Sequence, residues 1–201
     1  MPGSVRVYVG LGANVGDAHA TLAQAVGALA TLPGAALRGV SRLYRTKPVG
    51  VTDQPEFLNA VVALDVLDSD DPPTGATALL VQLKDLERAF GRRRRRRWGP
   101  RELDLDLLLY GDARLSVERP PGGMPRSAST DPAAATRLLE VPHPSMADRL
   151  FVLAPLADLA PDLVPPGWTA SVGARHEELS SSEPDAAVAV GAWDPRHADW
   201  R

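Results

Sequence analysis

The chain has 201 residues, a length that suits one domain, and 44% of them are hydrophobic, enough for a packed core. The formal net charge of −3 argues against a polyanion binder as a whole, and the complete absence of cysteine excludes a disulfide framework, thiolate chemistry and Cys-ligated zinc. No apolar stretch approaches the roughly 20 residues of a membrane span, and no leader pattern opens the sequence, so a soluble cytoplasmic protein is the expectation.

Val5, Val7 and Val9 alternate with Arg6 and Tyr8, which predicts a first strand over 5–10. Gly10-Leu11-Gly12-Ala13-Asn14-Val15-Gly16 then reads as a tight turn, since its spacing misses the dinucleotide fingerprint. Asp17 is a fair N-cap for a helix over 18–32, with Leu22, Val26, Leu29 and Leu32 on one face. Pro33-Gly34 ends it. A second strand is expected over 37–44 and a third over 57–66. The loop between them, Arg45 to Pro55, is too long for a hairpin turn, and loops of this kind often carry function. Thr74 is a candidate cap for a helix over 76–90, where Leu79, Leu83, Leu86 and Phe90 recur at core spacing. Gly91 sits where a C-terminal glycine cap belongs. Glu87 lies one turn before a block of arginines; it either orients that block or forms a surface ion pair.

The segment Arg92 to Asp106 concentrates charge: six arginines, then Trp98-Gly99-Pro100-Arg101, then Leu103-Asp104-Leu105-Asp106. The leucine run predicts a strand, and alternation puts Asp104 and Asp106 on one face and Leu103, Leu105 and Leu107 on the other. Carboxylates on a half-buried strand need a positive partner, from a metal, the arginines, or both. Mg²⁺ suits the position, because it favours one or two carboxylates together with substrate phosphates. Arginines hold phosphate oxygens bidentately. Each part also has an ordinary reading: a basic run is often a solvated face or a nucleic-acid contact, and Asp-x-Asp is often just a polar strand face.

Residues 116–138, rich in Pro, Gly, Ser and Ala, are expected to form a flexible insertion. The segment 152–161, with internal Pro155, predicts a short closing helix. From Gly167 on, small and acidic residues dominate apart from Trp168, Trp193 and Trp200, so 167–201 reads as a mobile low-complexity tail, tacked down at most by a tryptophan. The domain proper is placed at 1–166. Its strand–helix–strand–strand–helix–strand order is that of a ferredoxin-like α+β sandwich, a βαββαβ core with helices on one face of an antiparallel sheet.

Arg92 to Asp106 closely resembles the signature of the 6-hydroxymethyl-7,8-dihydropterin pyrophosphokinase family, Arg-x-Arg-x-x-Arg-Trp-Gly-Pro-Arg followed by a strand with Asp-x-Asp. Gly12-Ala13-Asn14, Tyr44 to Pro48, Asp53 to Ala60 and Leu139 to Phe151 extend the resemblance to about Pro166. It implies the ferredoxin-like fold with additional C-terminal elements. It also implies transfer of diphosphate from ATP to 6-hydroxymethyl-7,8-dihydropterin in folate biosynthesis, giving the pterin diphosphate and AMP by in-line attack on the β-phosphorus. Asp104 and Asp106 are then ligands of two Mg²⁺ ions, and Arg92, Arg101, Asp104 and Asp106 the catalytic set. Arg92, Arg94, Arg97, Arg101, Leu107, His143 and Arg149 fall at ATP positions, with Arg94 and Arg97 on a loop that closes over the nucleotide. Thr46, Val49, Phe57, Asn59, Trp98, Asp104 and Phe151 fall at pterin positions. An aromatic face and an amide that both donates and accepts suit a flat heteroaromatic ring. Three residues depart from some members: Lys47 stands in place of a proline, Phe57 in place of a tyrosine and Pro144 in place of an aromatic. The implied partners are small molecules alone, with no nucleic acid and no membrane, acting on a monomer.

Two other readings compete. Ferredoxin-like sheets bind RNA through exposed aromatics on central strands, but aromatic residues make up only 5% of this chain. A Mg²⁺-dependent phosphotransferase with another acceptor shares the arginine–aspartate chemistry; the matches around Thr46 to Asn59 favour a pterin.

Overall fold

The expected element order is realised around one antiparallel sheet. A computed structural model describes residues 3–48, 50, 52–92, 99–120 and 136–201. The core comprises β1 (Ser4–Ala13), α1 (Ala18–Ala30), β2 (Ala36–Val40), β3 (Leu43–Thr46), β4 (Phe57–Leu67), α2 (Pro72–Ala89) and β5 (Asp104–Tyr110). It continues with β6 (Leu115–Glu118), β7 (Arg137–Val141), α3 (Leu150–Leu159), α4 (Val172–Ser182), β8 (Ala187–Gly191), β9 (Trp193–Asp194) and β10 (Asp199–Trp200). The sheet runs β5-β1-β4-β3-β8, with β2 also paired to β4. Counting β2 and β3 as one interrupted strand, the first four positions are those of a ferredoxin-like fold.

Local chemistry explains where boundaries differ from the sequence reading. β1 runs on to Ala13, because Gly10-Leu11-Gly12-Ala13 pairs with β4 throughout and with β5 up to Gly12. The glycines read as a turn are therefore inside a central strand. The single strand expected over 37–44 breaks at Ser41, whose hydroxyl takes the Val61 N–H at 2.9 Å. Helix α2 starts four residues before 76: Asp71 caps it by accepting the Thr74 N–H at 3.2 Å, and Pro72 sits where a missing N–H costs nothing. Gly91 at φ 82° ends α2 as expected.

Alternation along the strands divides the interior in two. Val7, Val9, Leu11, Val62, Leu64, Leu103, Leu105 and Leu107 face α1 and α2, where Leu22, Leu29, Leu79 and Leu83 are buried. Tyr8, Val61, Ala63, Leu108 and Leu109 face the other way, onto α3 and the start of α4. Leu108 is the extra residue of a bulge: Val9 pairs with Leu107, but Tyr8 pairs with Leu109. The shift returns Tyr110 to the helix-side core. Thus α1 and α2 cover one face, and the C-terminal additions cover only part of the other. The uncovered part holds the site.

Two expectations about the later chain are corrected. The ends of the 116–138 stretch are ordered: β6 and β7 pair from Leu115–Val141 to Glu118–Arg137, because Leu115, Val117 and Leu139 turn inward against the core. Residues 167–201 are not a loose tail. They form α4 and β8–β10, and Trp200 is 3% exposed with its indole N–H on the Ser41 carbonyl at 2.8 Å. The tryptophan tack is present, but the chain around it folds with it.

Candidate active site

On the open side of the sheet, beside α3, lies a cleft of about 240 Å³. Its walls include Thr46, Phe57, Asn59, Arg101, Asp104, Asp106, Arg149 and Phe151. Residues from five separate stretches of sequence therefore meet in one hollow.

Asp104 and Asp106 are on the cleft face of β5, opposite Gly12 and Gly10 of β1. Those glycines leave the floor open: a Cβ on Gly12 would stand 3.1 Å from Asn59 Oδ1, and one on Gly10 3.5 Å from Leu108. Asp104 is met by two guanidinium groups. Arg92 Nη1 lies 2.7 Å from its Oδ1, as an ion pair rather than an aligned hydrogen bond, and Arg101 pairs with Oδ2. Asp106 keeps a freer side chain, 44% exposed, with Lys84 Nζ at 3.8 Å. Loss of hydration in the cleft raises the Asp106 carboxyl, but the positive charge of Lys84, His143, Arg101 and Arg92 outweighs it and holds the carboxyl at about 2. Asp106 is a carboxylate at any neutral pH.

Behind this pair lies an anchor. Glu87, only 3% exposed, accepts the Leu105 backbone N–H at 2.7 Å and the Lys84 ammonium at 2.6 Å, and pairs with Arg92. The Arg92 N–H also donates to the Glu87 carbonyl at 3.0 Å. One buried carboxylate thus ties the end of α2, the root of the arginine loop and β5 together. The sequence left Glu87 between orienting the block and pairing at the surface; its burial decides for the first. Partial burial works against the Arg92 charge, but Asp104 and Glu87 outweigh it and raise its pKa above the ordinary value. Arg101 is set by Asn14: its N–H donates to Asn14 Oδ1 at 2.8 Å, and the Asn14 N–H returns to the Arg101 carbonyl at 3.0 Å. Asn14 Nδ2 reaches on to Gln54 Oε1 at 3.1 Å and the Pro55 carbonyl at 2.9 Å, so the same side chain holds the 47–56 loop.

At the other end of the cleft, the buried Asn59 amide donates to the Thr46 hydroxyl at 2.8 Å. Phe57 and Phe151 line the cleft near them, and Arg149 stands over the Phe151 ring at 5.6 Å. His143 is outside this hollow, on a neighbouring one shared with Arg114 and Trp168. Its backbone N–H donates to the Leu108 carbonyl at 2.9 Å, and its Nδ1 accepts the Ser145 N–H at 3.3 Å.

Of the residues singled out in sequence, Thr46, Phe57, Asn59, Arg101, Asp104, Asp106, Arg149 and Phe151 come together, with Arg92 directly behind Asp104. Leu107 turns its side chain, 2% exposed, into the helix-side core, so only its backbone borders the aspartate face. Val49, Arg94, Arg97 and Trp98 lie outside the described residues, as do Arg93, Arg95 and Arg96. Sequence reasoning missed Lys84, one turn before Glu87 on α2, and the role of Gly10 and Gly12. A lysine three residues before a glutamate on a helix was a visible signal; the glycines' open floor appears only once both neighbouring strands are placed.

Comparison with known proteins bears on the family and the fold. Residues 8–161 match the profile of the 7,8-dihydro-6-hydroxymethylpterin-pyrophosphokinase family. A 2-amino-4-hydroxy-6-hydroxymethyldihydropteridine pyrophosphokinase of Methylorubrum extorquens is 44% identical over 164 residues, covering 82% of this chain and 88% of that protein. The protein of the same name from Pseudomonas aeruginosa is 42% identical over 158 residues, covering 79% and 82%. In structure, the chain resembles wild-type Plasmodium falciparum HPPK-DHPS with a TM-score of 0.65 at 13% identity, a likeness of fold. It covers 90% of this chain and 46% of that one, so the chain spans about half the length of that structure.

Proposed function

The chain belongs to the 7,8-dihydro-6-hydroxymethylpterin-pyrophosphokinase family, and we propose that its cleft divides the reaction between a phosphate end built on β5 and a pterin end built on β3 and β4. The reaction is transfer of diphosphate from ATP to 6-hydroxymethyl-7,8-dihydropterin, in folate biosynthesis. The substrate hydroxyl attacks the β-phosphorus, the bond from that phosphorus to the α-phosphate oxygen breaks, and AMP leaves. The hydroxyl proton passes to solvent.

The observation that carries the proposal is the placing of Asp104 and Asp106 on one face, opposite two glycines and next to Arg92 and Arg101. Among the described residues no cluster of three or more His, Asp or Glu forms a closed metal cage. Two carboxylates on an open floor fit Mg²⁺, which takes few protein ligands when phosphates supply the rest. Asp104 and Asp106 would hold two Mg²⁺ ions there, which would supply neutralisation of the charge on the transferring phosphates. Asp106, ionised down to about pH 2, is ready to bind a cation throughout the neutral range. Arg92, Arg101 and Arg149 grip phosphate oxygens, and His143 joins them from the adjoining hollow. The family resemblance adds Arg94 and Arg97, outside the described residues, to the ATP contacts and Trp98 and Val49 to the pterin contacts. Thr46 and Asn59 meet the polar edge of the pterin, with Phe57 and Phe151 against its faces. No described helix is long and apolar enough to cross a membrane.

Calorimetry with Mg²⁺ and a non-hydrolysable ATP analogue, before and after adding the hydroxymethyl-dihydropterin, tests the division. Pterin binding that depends on nucleotide is the expected result. Nucleotide binding without pterin binding would point to another acceptor. No Mg²⁺-dependent nucleotide binding would overturn the arginine–aspartate reading.

A further inference from the structure

Residues 183–201 have no part in the reaction above and lie beyond residue 161, where the family profile ends. They nevertheless grip the frame of the site. β8 runs antiparallel along β3, with Thr46 opposite Ala187 and Tyr44 opposite Ala189. On its other side β3 pairs with β4, with Thr46 opposite Phe57 and Tyr44 opposite Asn59. The short strand that delivers Thr46 is therefore held along both edges, and its next residue, Lys47, enters the loop that borders the cleft. The grip is locked further back. Ala192 and Arg201 exchange backbone hydrogen bonds of 2.7 and 2.9 Å, closing the β9–β10 hairpin. That hairpin presents Trp200, buried edge-on against Trp193 at 4.7 Å, with its indole N–H on the Ser41 carbonyl at 2.8 Å. Ser41 stands at the break between β2 and β3, so Trp200 pins the point from which β3 departs.

We infer that residues 187–201 form a positioning strap for the pterin half of the cleft. A four-residue strand at a sheet edge opens at little cost, because few contacts oppose its fraying. With β8 in place β3 is an interior strand, and the Thr46 hydroxyl stays within 2.8 Å of the Asn59 amide. The phosphate half hangs on β5, at the opposite end of the strand order, and is spared. The inference rests on the pterin assignment made above.

Two variants test it: the chain ended at Ser182, and full-length Trp200→Ala, which keeps β8 but removes the pin. In both, the pterin dissociation constant, measured with Mg²⁺ and saturating non-hydrolysable ATP analogue, should rise about tenfold, while nucleotide affinity alone changes by less than about twofold. Hydrogen exchange should quicken at Leu43–Thr46 and stay unchanged at Leu105–Leu109. Equal weakening of both ligands, or an unchanged pterin constant, would overturn the strap. If the shortened chain does not fold, Trp200→Ala decides by the same measurements. If the wild-type protein binds nucleotide but no pterin, it is the pterin assignment that fails, and the exchange at Leu43–Thr46 still decides whether the strap holds β3.

Discussion

The two flanks of the sheet are held by different forces. At β5 the backbone edge is satisfied by side-chain charge: Glu87 accepts the Leu105 N–H, and the Lys84 ammonium donates to the Leu105 carbonyl at 2.6 Å. At β3 it is satisfied by another strand, β8, and by Trp200. On the proposed division, the first flank carries the groups that would meet phosphate and metal, the second those that would meet a flat neutral ring. On that division, charged ligands would be handled where the frame itself is ionic, and the ring where the frame is backbone and packing. Perturbing charge should damage the first flank and leave the second in place.

The largest expected effect comes from Asp104→Ala or Asp106→Ala. Either should leave the protein folded, because both side chains point off the leucine face, and lower turnover by roughly a thousandfold, the scale of losing a main charge-stabilising group. Loss of the folded state in both, seen by circular dichroism, would mean a structural pair had been taken for a metal site. Next is Glu87→Gln, which leaves Lys84 and Arg92 facing a buried neutral amide. The cost should be about 3 kcal/mol of stability, read by urea unfolding, toward the lower end for a broken buried pair because both partners retain some solvent. Nucleotide affinity should fall with it, and pterin-side hydrogen exchange should not change.

A smaller effect concerns acid. The Asp106 carboxyl is lowered to about 2 in the folded chain, against about 3.9 when unfolded. Its contribution to stability is therefore fully present above about pH 4 and lost as pH falls toward 2. Solvent screening at a side chain 44% exposed limits it to about 1 kcal/mol. Asp106→Asn should flatten the stability profile between pH 4 and 2; an unchanged slope there would show that its cationic neighbours do not hold it. Smallest is Tyr44→Phe on the β3 flank. The Tyr44 hydroxyl donates to Asp158 at 3.0 Å, and burial together with Asp158 raises its pKa, so it stays protonated. Asp158 keeps Arg42 at 2.6 Å without it, so the loss should be about 0.5–1 kcal/mol by thermal melting.

What was legible in the sequence follows the range of the forces. Alternation along Leu103 to Leu107 correctly put the aspartates on one face, because that pattern is local to the strand. Asp17 was recognised as a cap for the same reason. The helix expected over 76–90 begins earlier, at Pro72, since proline breaks a helix interior but starts a helix well. Gly10 and Gly12 looked like a turn, because only pairing with β4 and β5 makes them strand. The C-terminal segment was least legible: Ala187–Gly191 is Ala, Val and Gly throughout, with no polar alternation to mark a buried face, and it pairs as a strand with β3, more than a hundred residues earlier. In the site, Asp104, Asp106 and Arg101 announced themselves by type and spacing, whereas Lys84 acquired meaning only when α2 docked on β5.

The bulge at Leu108 bears on how β5 tolerates gain or loss of a residue over evolutionary time. A lineage that deleted Leu108 would restore an unbroken ladder, with Leu107 still opposite Val9 and the next leucine opposite Tyr8, and both aspartates would stay on their face. It would also lose the carbonyl that accepts the His143 N–H. The spare residue is therefore the link between the aspartate strand and the His143 loop, and a one-residue deletion there would cut that link and take a buried side chain out of the cleft lining.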